Sequence, residues 1–251
     1  MIEKYLVKKI TEPVDWKVTV PGSKSMTNRA LLMAVLSAGT VRVEGVLFSD
    51  GSRHFLACLV ALGFTVEIEE EKKCVTVTGC GGRIPRGEAV IDVGSAGTAA
   101  RFLAAMLGFS DGCYEIRCSA QMKRRPMAEL FDLLSGAGAK ITFLEEEGHL
   151  PVRITGCRYA RADKTAGETP RELSLDITKS TQFLSALLLI APMVPEGMKI
   201  HITSEKTDGS YIRITRKMMQ EFGVSVAFDG RDYEVPCRSS YRKETYMVEP
   251  D

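Results

Sequence analysis

Residues 56–68 read LACLVALGFTVEI: a helical run of apolar residues ends at a glycine and passes directly into the alternating pattern of a strand. The same arrangement occurs twice more, as LFDLLSGAGAKITF over residues 130–143 and as KMMQEFGVSVAF over residues 217–228. Glycine at this place adopts the left-handed conformation that ends a helix and turns the chain into a strand. The three capping glycines are Gly63, Gly138 and Gly223. Their equivalent settings predict an internal threefold repeat.

Each repeat extends in both directions from its glycine into a unit of six elements in the order βαβαββ. Unit one is predicted to contain strands at 17–20, 40–46, 64–68 and 75–78, with helices at 24–37 and from residue 51. Unit two is predicted to contain strands at 89–92, 113–118, 140–144 and 152–155, with helices at 97–107 and from residue 126. Unit three is predicted to contain strands at 173–177, 199–203, 224–228 and 233–235, with helices from residues 180 and 210.

The first helix of each unit is apolar on most faces, whereas the second is amphipathic. The first helices contain ALLMAVLSA, FLAAML and FLSALLLIAPM, and helices of this composition are buried. We therefore expect an α/β domain with these helices inside and the sheets outside, in which the three units share one core. This domain covers residues 22–240, because residues 1–21 and 241–251 fit none of the units.

The bulk composition favours a cytoplasmic protein that acts on small molecules. The 251 residues include 33 Lys and Arg against 32 Asp and Glu, so the basic excess that nucleic acids or membrane surfaces require is absent. Seven cysteines without a CxxC pair, together with three histidines, give no zinc spacing, so free thiols and no metal are expected. No apolar run reaches the roughly 18 residues of a membrane span, and the N-terminus lacks the apolar core of a signal peptide.

The starts of the three buried helices share small hydroxyl or glycine residues. They read PGSKSMTNRALL from residue 21, VGSAGTAARFLA from residue 93 and ITKSTQFLSALL from residue 177. Unpaired N–H groups and partial positive charge make such a helix end an anion site, although Ser and Thr here also serve as ordinary N-caps. If pseudo-threefold symmetry relates the units, all three starts point to one region. This agreement favours anion binding over simple capping.

Basic side chains accompany two of these starts. Lys24 and Arg29 lie in the first, and Arg29 follows Ser25 by one helical turn, so both can face one ligand. Arg101 holds the matching place after Gly97, where it either binds a ligand or braces neighbouring units.

Two second-helix starts add further polar groups. Arg124 and Arg125 stand directly before Pro126, where a guanidinium offers the bidentate fork that suits a carboxylate or a phosphate. Tyr211 opens the corresponding helix of unit three. The alternatives are a solvated arginine pair and a half-buried tyrosine. We favour a binding role for Arg125 and Tyr211.

These segments resemble motifs of the 5-enolpyruvylshikimate-3-phosphate (EPSP) synthases, in family order from residue 21 to the end of the chain. PGSKSMTNRALL is similar to their PGSKS-x-(S/T)-NRAL segment, GSAGTAARFL to their GNAGTAMR loop and MKRRPM to their M-x-x-RP-(I/M) segment. STQFLSALLLIAP resembles SSQFLTALLMAAP, and SYIRITRKMMQEFGV resembles (K/R)PYIDIT-x-x-MM-x-FGV. The chain is identified as similar to the N-terminal portion, or upper domain, of this family of enolpyruvyl transferases.

The resemblance implies the activity of a 3-phosphoshikimate 1-carboxyvinyltransferase in the shikimate pathway of aromatic amino-acid biosynthesis. Such an enzyme transfers the enolpyruvyl group of phosphoenolpyruvate to the 5-hydroxyl of shikimate 3-phosphate through a tetrahedral ketal, with loss of phosphate. The resemblance also implies an inside-out α/β barrel of three βαβαββ units with buried helices and outer four-stranded sheets. It implies no cofactor, a monomer, and glyphosate binding beside the phosphoenolpyruvate loop.

Carried over by position, two overlapping sets of residues are implied to bind substrate. Those implied for shikimate 3-phosphate are Lys24, Ser25, Arg29, Ser180, Thr181, Gln182 and Tyr211. Those implied for phosphoenolpyruvate are Lys24, Ser95, Gly97, Thr98, Arg125 and Gln182. Lys24 is also implied to be catalytic.

The chain departs from the family pattern at several positions. Ser95 replaces the asparagine of GNAGT, Gln121 replaces the first arginine of R-M-x-x-R-P, and Gly51 replaces the last residue of SDD. The family's phosphate-binding serine, three residues before the tyrosine, falls on Asp208, whose carboxylate would repel a phosphate. Either the loop is shifted, so that Ser204 or Ser210 takes this role, or the affinity is reduced.

The sequence stops at YMVEPD, where the family continues into a second domain that carries its principal acid/base carboxylate. We expect residues 1–21 to be a stub of that lower domain, 22–240 the upper domain and 241–251 the start of the return. The chain alone is then inactive. Two alternatives stay open: a non-catalytic half-domain that binds shikimate 3-phosphate, and the sister UDP-N-acetylglucosamine enolpyruvyl transferase, whose loop cysteine lies near the place of Cys118. Arg29 and the STQF segment favour the EPSP synthases.

Overall fold

The three glycines that mark the repeat end three helices in the same way. The computed structural model describes residues 6–18, 20–157 and 169–250, and the φ angles at Gly63, Gly138 and Gly223 are +92°, +98° and +90°. After each glycine, the next N–H donates to the carbonyl five residues earlier. These hydrogen bonds run from Phe64 to Leu59 at 3.1 Å, from Ala139 to Leu134 at 3.0 Å and from Val224 to Met219 at 2.8 Å. They close the helices as the sequence predicts, and in units one and two the strand follows directly. In unit three the strand begins only at Ala227, so the predicted strand at 224–228 is wrong for residues 224–226.

The helices lie at the predicted places, with one addition. They are α1 (Lys24–Leu36), α2 (Asp50–Ala61), α3 (Gly97–Gly108), α4 (Ala120–Lys123), α5 (Ala128–Gly136), α6 (Thr181–Ile190) and α7 (Ser210–Glu221). The short α4 forms because Ser119 Oγ accepts a hydrogen bond from the Met122 N–H at 3.3 Å. Pro126 then separates α4 from α5, since proline has no N–H to donate to a helix and disfavours the helical conformation of the residue before it. Within the described part of the chain, none of the helices is long and apolar enough to cross a membrane.

The strands of the described residues form three sheets with the same spatial arrangement and the same strand directions. They are β1 (Thr40–Glu44), β2 (Thr65–Glu69), β3 (Cys74–Thr78), β4 (Glu88–Asp92), β5 (Cys113–Arg117), β6 (Lys140–Phe143), β7 (Val152–Thr155), β8 (Arg171–Leu175), β9 (Met198–Ile202), β10 (Ala227–Phe228), β11 (Asp232–Val235) and β12 (Thr245–Met247). The four-stranded sheets have the orders β12-β1-β3-β2, β4-β5-β7-β6 and β8-β9-β11-β10. In each order the first pair is parallel and the other pairs are antiparallel.

The outer strand of the first sheet comes from the far end of the chain. β12 pairs in parallel with β1, and its Tyr246 is buried against Phe222, with ring centroids 5.1 Å apart. The predicted strand at 17–20 is wrong for residues 17, 18 and 20, which lie in no strand; Thr19 lies outside the described residues. Val18 and Val20 are exposed. Buried apolar side chains at the edge of the first sheet therefore come from β12 and not from these valines.

The helices α1, α3 and α6 form the centre of the molecule. They contact one another, and residues 26–36 of α1, 99–108 of α3 and 183–190 of α6 are all buried. By contrast, α2 and α7 bury one face each. The predicted arrangement of helices inside and sheets outside, an inside-out α/β barrel of three units, is confirmed.

The two ends of the chain pack differently against this core. Leu6, Val7 and Trp16 are largely exposed, whereas Tyr241 and Val248 are buried. Residues 241–250 therefore contribute to the core of the first and third units, although they fit none of the units by sequence. The upper-domain boundaries at residues 22 and 240 stay a prediction.

Candidate active site

The starts of α1, α3 and α6 face two adjoining cavities. The first, of about 380 Å³, lies at the starts of α1 and α3 and is called the α1–α3 cavity. The second, of about 510 Å³, lies at the start of α6 and is called the α6 cavity. Arg125, Gln182 and Tyr211 line both cavities, which therefore form one groove.

Every site residue predicted from the sequence lines this groove. The α1–α3 cavity is lined by Lys24, Ser25, Arg29, Ser95, Gly97 and Thr98, in addition to the three shared residues. Ser180 and Thr181 line the α6 cavity. The structure thus brings the three helix starts together, as the repeat predicts, while the binding role of each side chain stays a prediction.

Hydroxyl groups cap two of the three helix starts. Ser23 Oγ accepts from the Met26 N–H at 3.4 Å, and Ser180 Oγ accepts from the Gln182 N–H at 3.2 Å. At α3 the N-cap residue is Ala96, which makes no side-chain cap. Ser180 therefore acts as an ordinary N-cap of α6. At α3 no such cap is present, and the first N–H groups of this helix have no partner among the described residues. Such groups are available to an anion.

Arg29 is a buried cation at the base of the α1–α3 cavity. Its Nε donates to Thr215 Oγ1 at 2.8 Å, and its Nη1 donates to the Ser25 carbonyl at 2.9 Å. Its Nη2 meets Ser185 Oγ at 3.4 Å and the Tyr211 carbonyl at 3.5 Å. Burial lowers the pKa of the guanidinium to about 10, which leaves it charged at neutral pH. Arg29 therefore joins α1, α6 and α7 and supplies a fixed positive charge beneath the cavity.

Arg101 is the equivalent cation of α3, and its contacts favour the bracing alternative. Its Nη1 donates to the Gly97 carbonyl at 2.9 Å and its Nη2 meets the Pro126 carbonyl at 3.5 Å. Its guanidinium also lies 5.4 Å from the ring centroid of Phe183. Burial, followed by the nearby charge of Arg125, lowers the pKa of Arg101 to about 10. Arg101 thus links three segments that line the groove and adds positive charge to it.

The groove contains many cations and few carboxylates. Among the described residues, no Asp or Glu lines the α1–α3 cavity. In the part of the chain that the structure describes, Glu129 is the one carboxylate that lines the α6 cavity, and its Oε1 lies 2.5 Å from Lys179 Nζ. The cations that line the groove are Lys24, Arg29, Arg101, Arg124, Arg125, Lys179 and Lys206. A cleft of one sign of charge concentrates ligands of the opposite sign, so the groove is suited to anions.

Arg125 rests directly on the start of α3. A Cβ built on Gly97 would lie 2.1 Å from Arg125 Nη1, closer than any side chain allows. Among the described residues, the Arg125 guanidinium has neither a hydrogen bond nor an ion pair. The guanidinium and the α3 N–H groups are therefore both open to the same anion. Of the two cavities, Arg124 lines only the α6 cavity.

Lys24 lies in a similar way over the start of α2. A Cβ on Gly51 would lie 2.8 Å from Lys24 Cε and 3.2 Å from its Nζ. The departure from the family pattern at Gly51 therefore has a structural consequence: it makes room for the lysine side chain. No ion pair holds Lys24 Nζ among the described residues, so its charge is available to a ligand.

Asn28 is a site residue that the sequence analysis missed. It is buried, it lines the α1–α3 cavity, and neither amide atom has a hydrogen-bond partner in the described part of the chain. Gln182 Oε1 is likewise buried and unpaired there. A usable signal was present, because Asn28 follows Lys24 by four residues and so shares its helix face.

Asp208 is neutralised by neighbours outside the groove. Its Oδ2 lies 2.7 Å from Arg213 Nη1, its Oδ1 lies 3.3 Å from the Tyr233 hydroxyl, and it lines neither cavity. Burial raises the pKa of this carboxyl, but the hydrogen bonds from Arg213 and the Gly209 backbone outweigh it, so the net pKa lies below the ordinary value. The expected repulsion of a phosphate by Asp208 is therefore reduced.

Ser204 and Ser210, the suggested replacements for the family serine, do not line the groove either. Ser204 is buried, accepts a hydrogen bond from the Ile177 N–H at 3.2 Å and donates to the Lys206 carbonyl at 2.9 Å. Its hydroxyl is thus engaged in holding the loop.

The sequence matches the family model described as EPSP synthase (3-phosphoshikimate 1-carboxyvinyltransferase) over residues 8–251. The chain belongs to the EPSP synthase family. The 3-phosphoshikimate 1-carboxyvinyltransferase of Sulfurovum sp. is 40% identical over 241 residues, which cover 95% of this chain and 54% of that protein. The protein of the same name from Trichormus variabilis is 35% identical over 243 residues, covering 96% and 55%. The chain thus spans about half the length of the curated relatives it matches.

Solved structures of EPSP synthases and related transferases share this fold. The EPSP synthase from Acinetobacter baumannii matches with a TM-score of 0.76 at 24% identity, over 93% of this chain and 49% of that one. The enolpyruvyl transferase NikO from Streptomyces tendae matches with a TM-score of 0.63 at 15% identity, over 96% and 53%. The family and fold that the sequence motifs imply are therefore confirmed.

Proposed function

We propose that the chain is the substrate-binding part of a 3-phosphoshikimate 1-carboxyvinyltransferase, which transfers the enolpyruvyl group of phosphoenolpyruvate to shikimate 3-phosphate. The observation that carries this proposal is the convergence of three helix starts and several cations on one groove with few carboxylates. Both substrates carry a phosphate and a carboxylate. Helix N-termini and guanidinium groups are suited to both kinds of anion.

The geometry supports a division of the groove between the two substrates. Phosphoenolpyruvate fits the α1–α3 cavity, where Gly97 and Thr98 offer backbone N–H groups and Arg125 offers a guanidinium fork. The phosphate of shikimate 3-phosphate fits the α6 cavity, where it meets the hydroxyls of Ser180 and Thr181. Its ring is proposed to extend toward Ser25 and Arg29, which the resemblance implies for this substrate and which line the α1–α3 cavity. In this arrangement, the residues that line both cavities lie between the two substrates. They are Arg125, Gln182 and Tyr211.

In the proposed reaction, the 5-hydroxyl oxygen of shikimate 3-phosphate bonds to C2 of phosphoenolpyruvate while the methylene carbon takes a proton. The hydroxyl proton goes to a base. Loss of phosphate and of one methyl proton then restores the double bond. Positioned acid and base groups typically contribute about 10²–10⁴-fold to such steps. Lys24 is the group of this chain that we propose to move a proton, since its ammonium lines the α1–α3 cavity.

The non-catalytic alternative applies to this chain by itself. No carboxylate lines the α1–α3 cavity among the described residues, so a partner for Lys24 in proton transfer is missing there. We therefore propose that the chain alone binds shikimate 3-phosphate weakly and does not catalyse transfer. The sister UDP-N-acetylglucosamine enolpyruvyl transferase is less favoured, because the relatives described above carry the EPSP synthase name.

We further propose a monomer in the cytoplasm that binds neither nucleic acid nor membranes. The near-equal numbers of cationic and anionic residues support the last two points, and the seven free cysteines support a reducing compartment. Residues 1–21 are proposed to belong to a lower domain, as the exposed Leu6, Val7 and Trp16 suggest.

Calorimetry with shikimate 3-phosphate and a phosphate-release assay with both substrates test the proposal. We expect weak binding by the chain alone and no phosphate release. Addition of the C-terminal half of the Sulfurovum relative distinguishes the two alternatives. An incomplete enzyme would then gain turnover, whereas a non-catalytic binding module would not. Absence of binding would contradict the proposed substrate. Turnover by the chain alone near the ordinary range of about 1–10³ s⁻¹ would show that the catalytic groups are misassigned.

A further inference from the structure

The loop between β9 and α7 points two opposite charges in different directions. Lys206 lines the α6 cavity, whereas Asp208, two residues later, lines neither cavity. The cationic side chain of this loop therefore lines the groove, and the anionic side chain lies outside it. A hydrogen bond to its carbonyl holds the backbone of Lys206, whereas Asp208 is held through its side chain.

Lys206 is held beside the start of α6. Ser204 Oγ donates to the Lys206 carbonyl at 2.9 Å and accepts from the Ile177 N–H at 3.2 Å. These two bonds tie the loop to the segment that leads into α6. A Cβ on Gly209 would lie 3.5 Å from Thr181 Cγ2 and 3.8 Å from Lys206 Cε, so the lysine side chain and Thr181 flank the same small space. No ion pair holds the Lys206 ammonium among the described residues.

Asp208 is held by groups of α7 and β11. Arg213 Nη1 lies 2.7 Å from one carboxylate oxygen, and the Tyr233 hydroxyl lies 3.3 Å from the other. Asp208 directly precedes Gly209, which is next to Thr181 as described above. Without Arg213, only the longer contact to Tyr233 would oppose a turn of the carboxylate toward the α6 cavity, where it would repel an anion and attract Lys206.

We propose that Lys206 binds the phosphate of shikimate 3-phosphate in the α6 cavity, and that Arg213 is a positioning residue that holds the Asp208 carboxylate out of that cavity. The identity of the ligand rests on the proposed function. The assignment of Lys206 and Arg213 rests on the geometry of the loop and applies to any phosphate bound at this place.

The first test is titration of the 251-residue chain with shikimate 3-phosphate, unphosphorylated shikimate and inorganic phosphate. Lys206→Met is expected to weaken binding of both phosphate-bearing probes by about tenfold, the usual scale for one charge-assisted hydrogen bond. Shikimate binding is expected to stay unchanged. Lys217→Met is the matched control, because Lys217 carries the same charge on α7 but pairs with Glu249 at 2.8 Å and lines neither cavity.

Two failures are distinguishable in this design. A wild-type chain that binds inorganic phosphate but not shikimate 3-phosphate contradicts the proposed function, while the effect of Lys206→Met on phosphate still tests the site. A wild-type chain that binds shikimate 3-phosphate, with equal affinity in Lys206→Met, overturns the role of Lys206.

The role of Arg213 is tested by a double-mutant cycle with Asp208. Arg213→Gln is expected to weaken shikimate 3-phosphate binding several-fold, and Asp208→Asn is expected to leave it unchanged or tighter. In the Asp208→Asn background, Arg213→Gln is expected to have no further effect. An equal loss in both backgrounds, or no loss in either, would overturn the positioning role. Thermal unfolding of each variant shows that the fold is retained.

Discussion

Gly97 leaves room for Arg125, and an added methyl group removes that room. Gly97→Ala is expected to displace the guanidinium, because a Cβ there would lie 2.1 Å from Arg125 Nη1. Phosphoenolpyruvate affinity is expected to fall by about tenfold or more, comparable to the loss of one charged hydrogen bond. Calorimetry on the chain measures this affinity.

The matched control is Gly136→Ala. Gly136 lies at the end of α5, where an added Cβ meets nothing within 4 Å. This variant should bind phosphoenolpyruvate like the wild type. Unchanged affinity in Gly97→Ala would show that Arg125 does not need its observed position to bind the ligand.

Arg125 and Arg124 are adjacent arginines with different surroundings, which makes them a direct comparison. Arg125→Ala is expected to cost about 2–5 kcal/mol in phosphoenolpyruvate binding, as for one partner of a desolvated charge pair, when the variant is placed in a reconstituted full-length enzyme. Shikimate 3-phosphate binding should change far less. Arg124→Ala should have the smaller effect because it lines only the α6 cavity. A larger loss in Arg124→Ala would mean that the wrong arginine is assigned.

At the residue scale, the sequence predicts side chains that stand in a motif but not those that tertiary contacts bring in. Lys24, Ser180 and Arg125 are found because each lies at a helix start. Lys206, which we propose as a phosphate contact, was not predicted, because the position of its loop depends on Ser204, whose partner Ile177 is distant in sequence. For the same reason, the position of the Asp208 carboxylate could not be predicted from its own segment.

At the scale of the elements, the repeated helix ends are fixed by backbone conformation. Gly223 has a φ of +90°, and a Cβ there would meet only Arg242 Cβ at 3.9 Å. Gly223→Ala therefore adds no clash, and its cost is that of a left-handed alanine, about 1–2 kcal/mol. Urea denaturation is expected to show this loss in the free energy of unfolding.

Gly136→Ala serves as the opposite control in the same experiment. Gly136 has no positive φ, and alanine in a helix is favoured over glycine by about 0.5–1 kcal/mol, so this variant should be stabilised. Equal stability of Gly223→Ala and the wild type would contradict the role of Gly223 as an obligatory helix cap.

Elements with a clear hydrophobic periodicity could be predicted from the sequence. Strands whose place depends on pairing with residues far along the chain could not. The helices α1, α3 and α6 start within one residue of their predicted positions, because each combines a cap or a glycine with a long apolar run. β12 has only three residues and no period of its own. Its place beside β1 is set by parallel pairing from Arg42↔Thr245 to Glu44↔Met247, which local sequence does not encode.

At the scale of the whole molecule, the threefold repeat is what creates the site. Three units of one topology place the starts of three buried helices at the same end of the core, and the second helices of units two and three add Arg125 and Tyr211. The buried Arg29 and Arg101 hold these units together and keep the groove positive. The fold and the proposed anion site are thus consequences of the same symmetry.

Amide chemical-shift mapping by NMR tests this claim most directly. Titration of the chain with shikimate 3-phosphate and phosphoenolpyruvate together is expected to shift amide signals at all three helix starts, near residues 24–25, 97–98 and 180–182. The amides of Arg216 and Lys217 serve as an internal control, since these residues line a second basic cavity that has no buried helix start. Shifts confined to one helix start, or largest at this second basic cavity, would contradict a single anion site built by the three units.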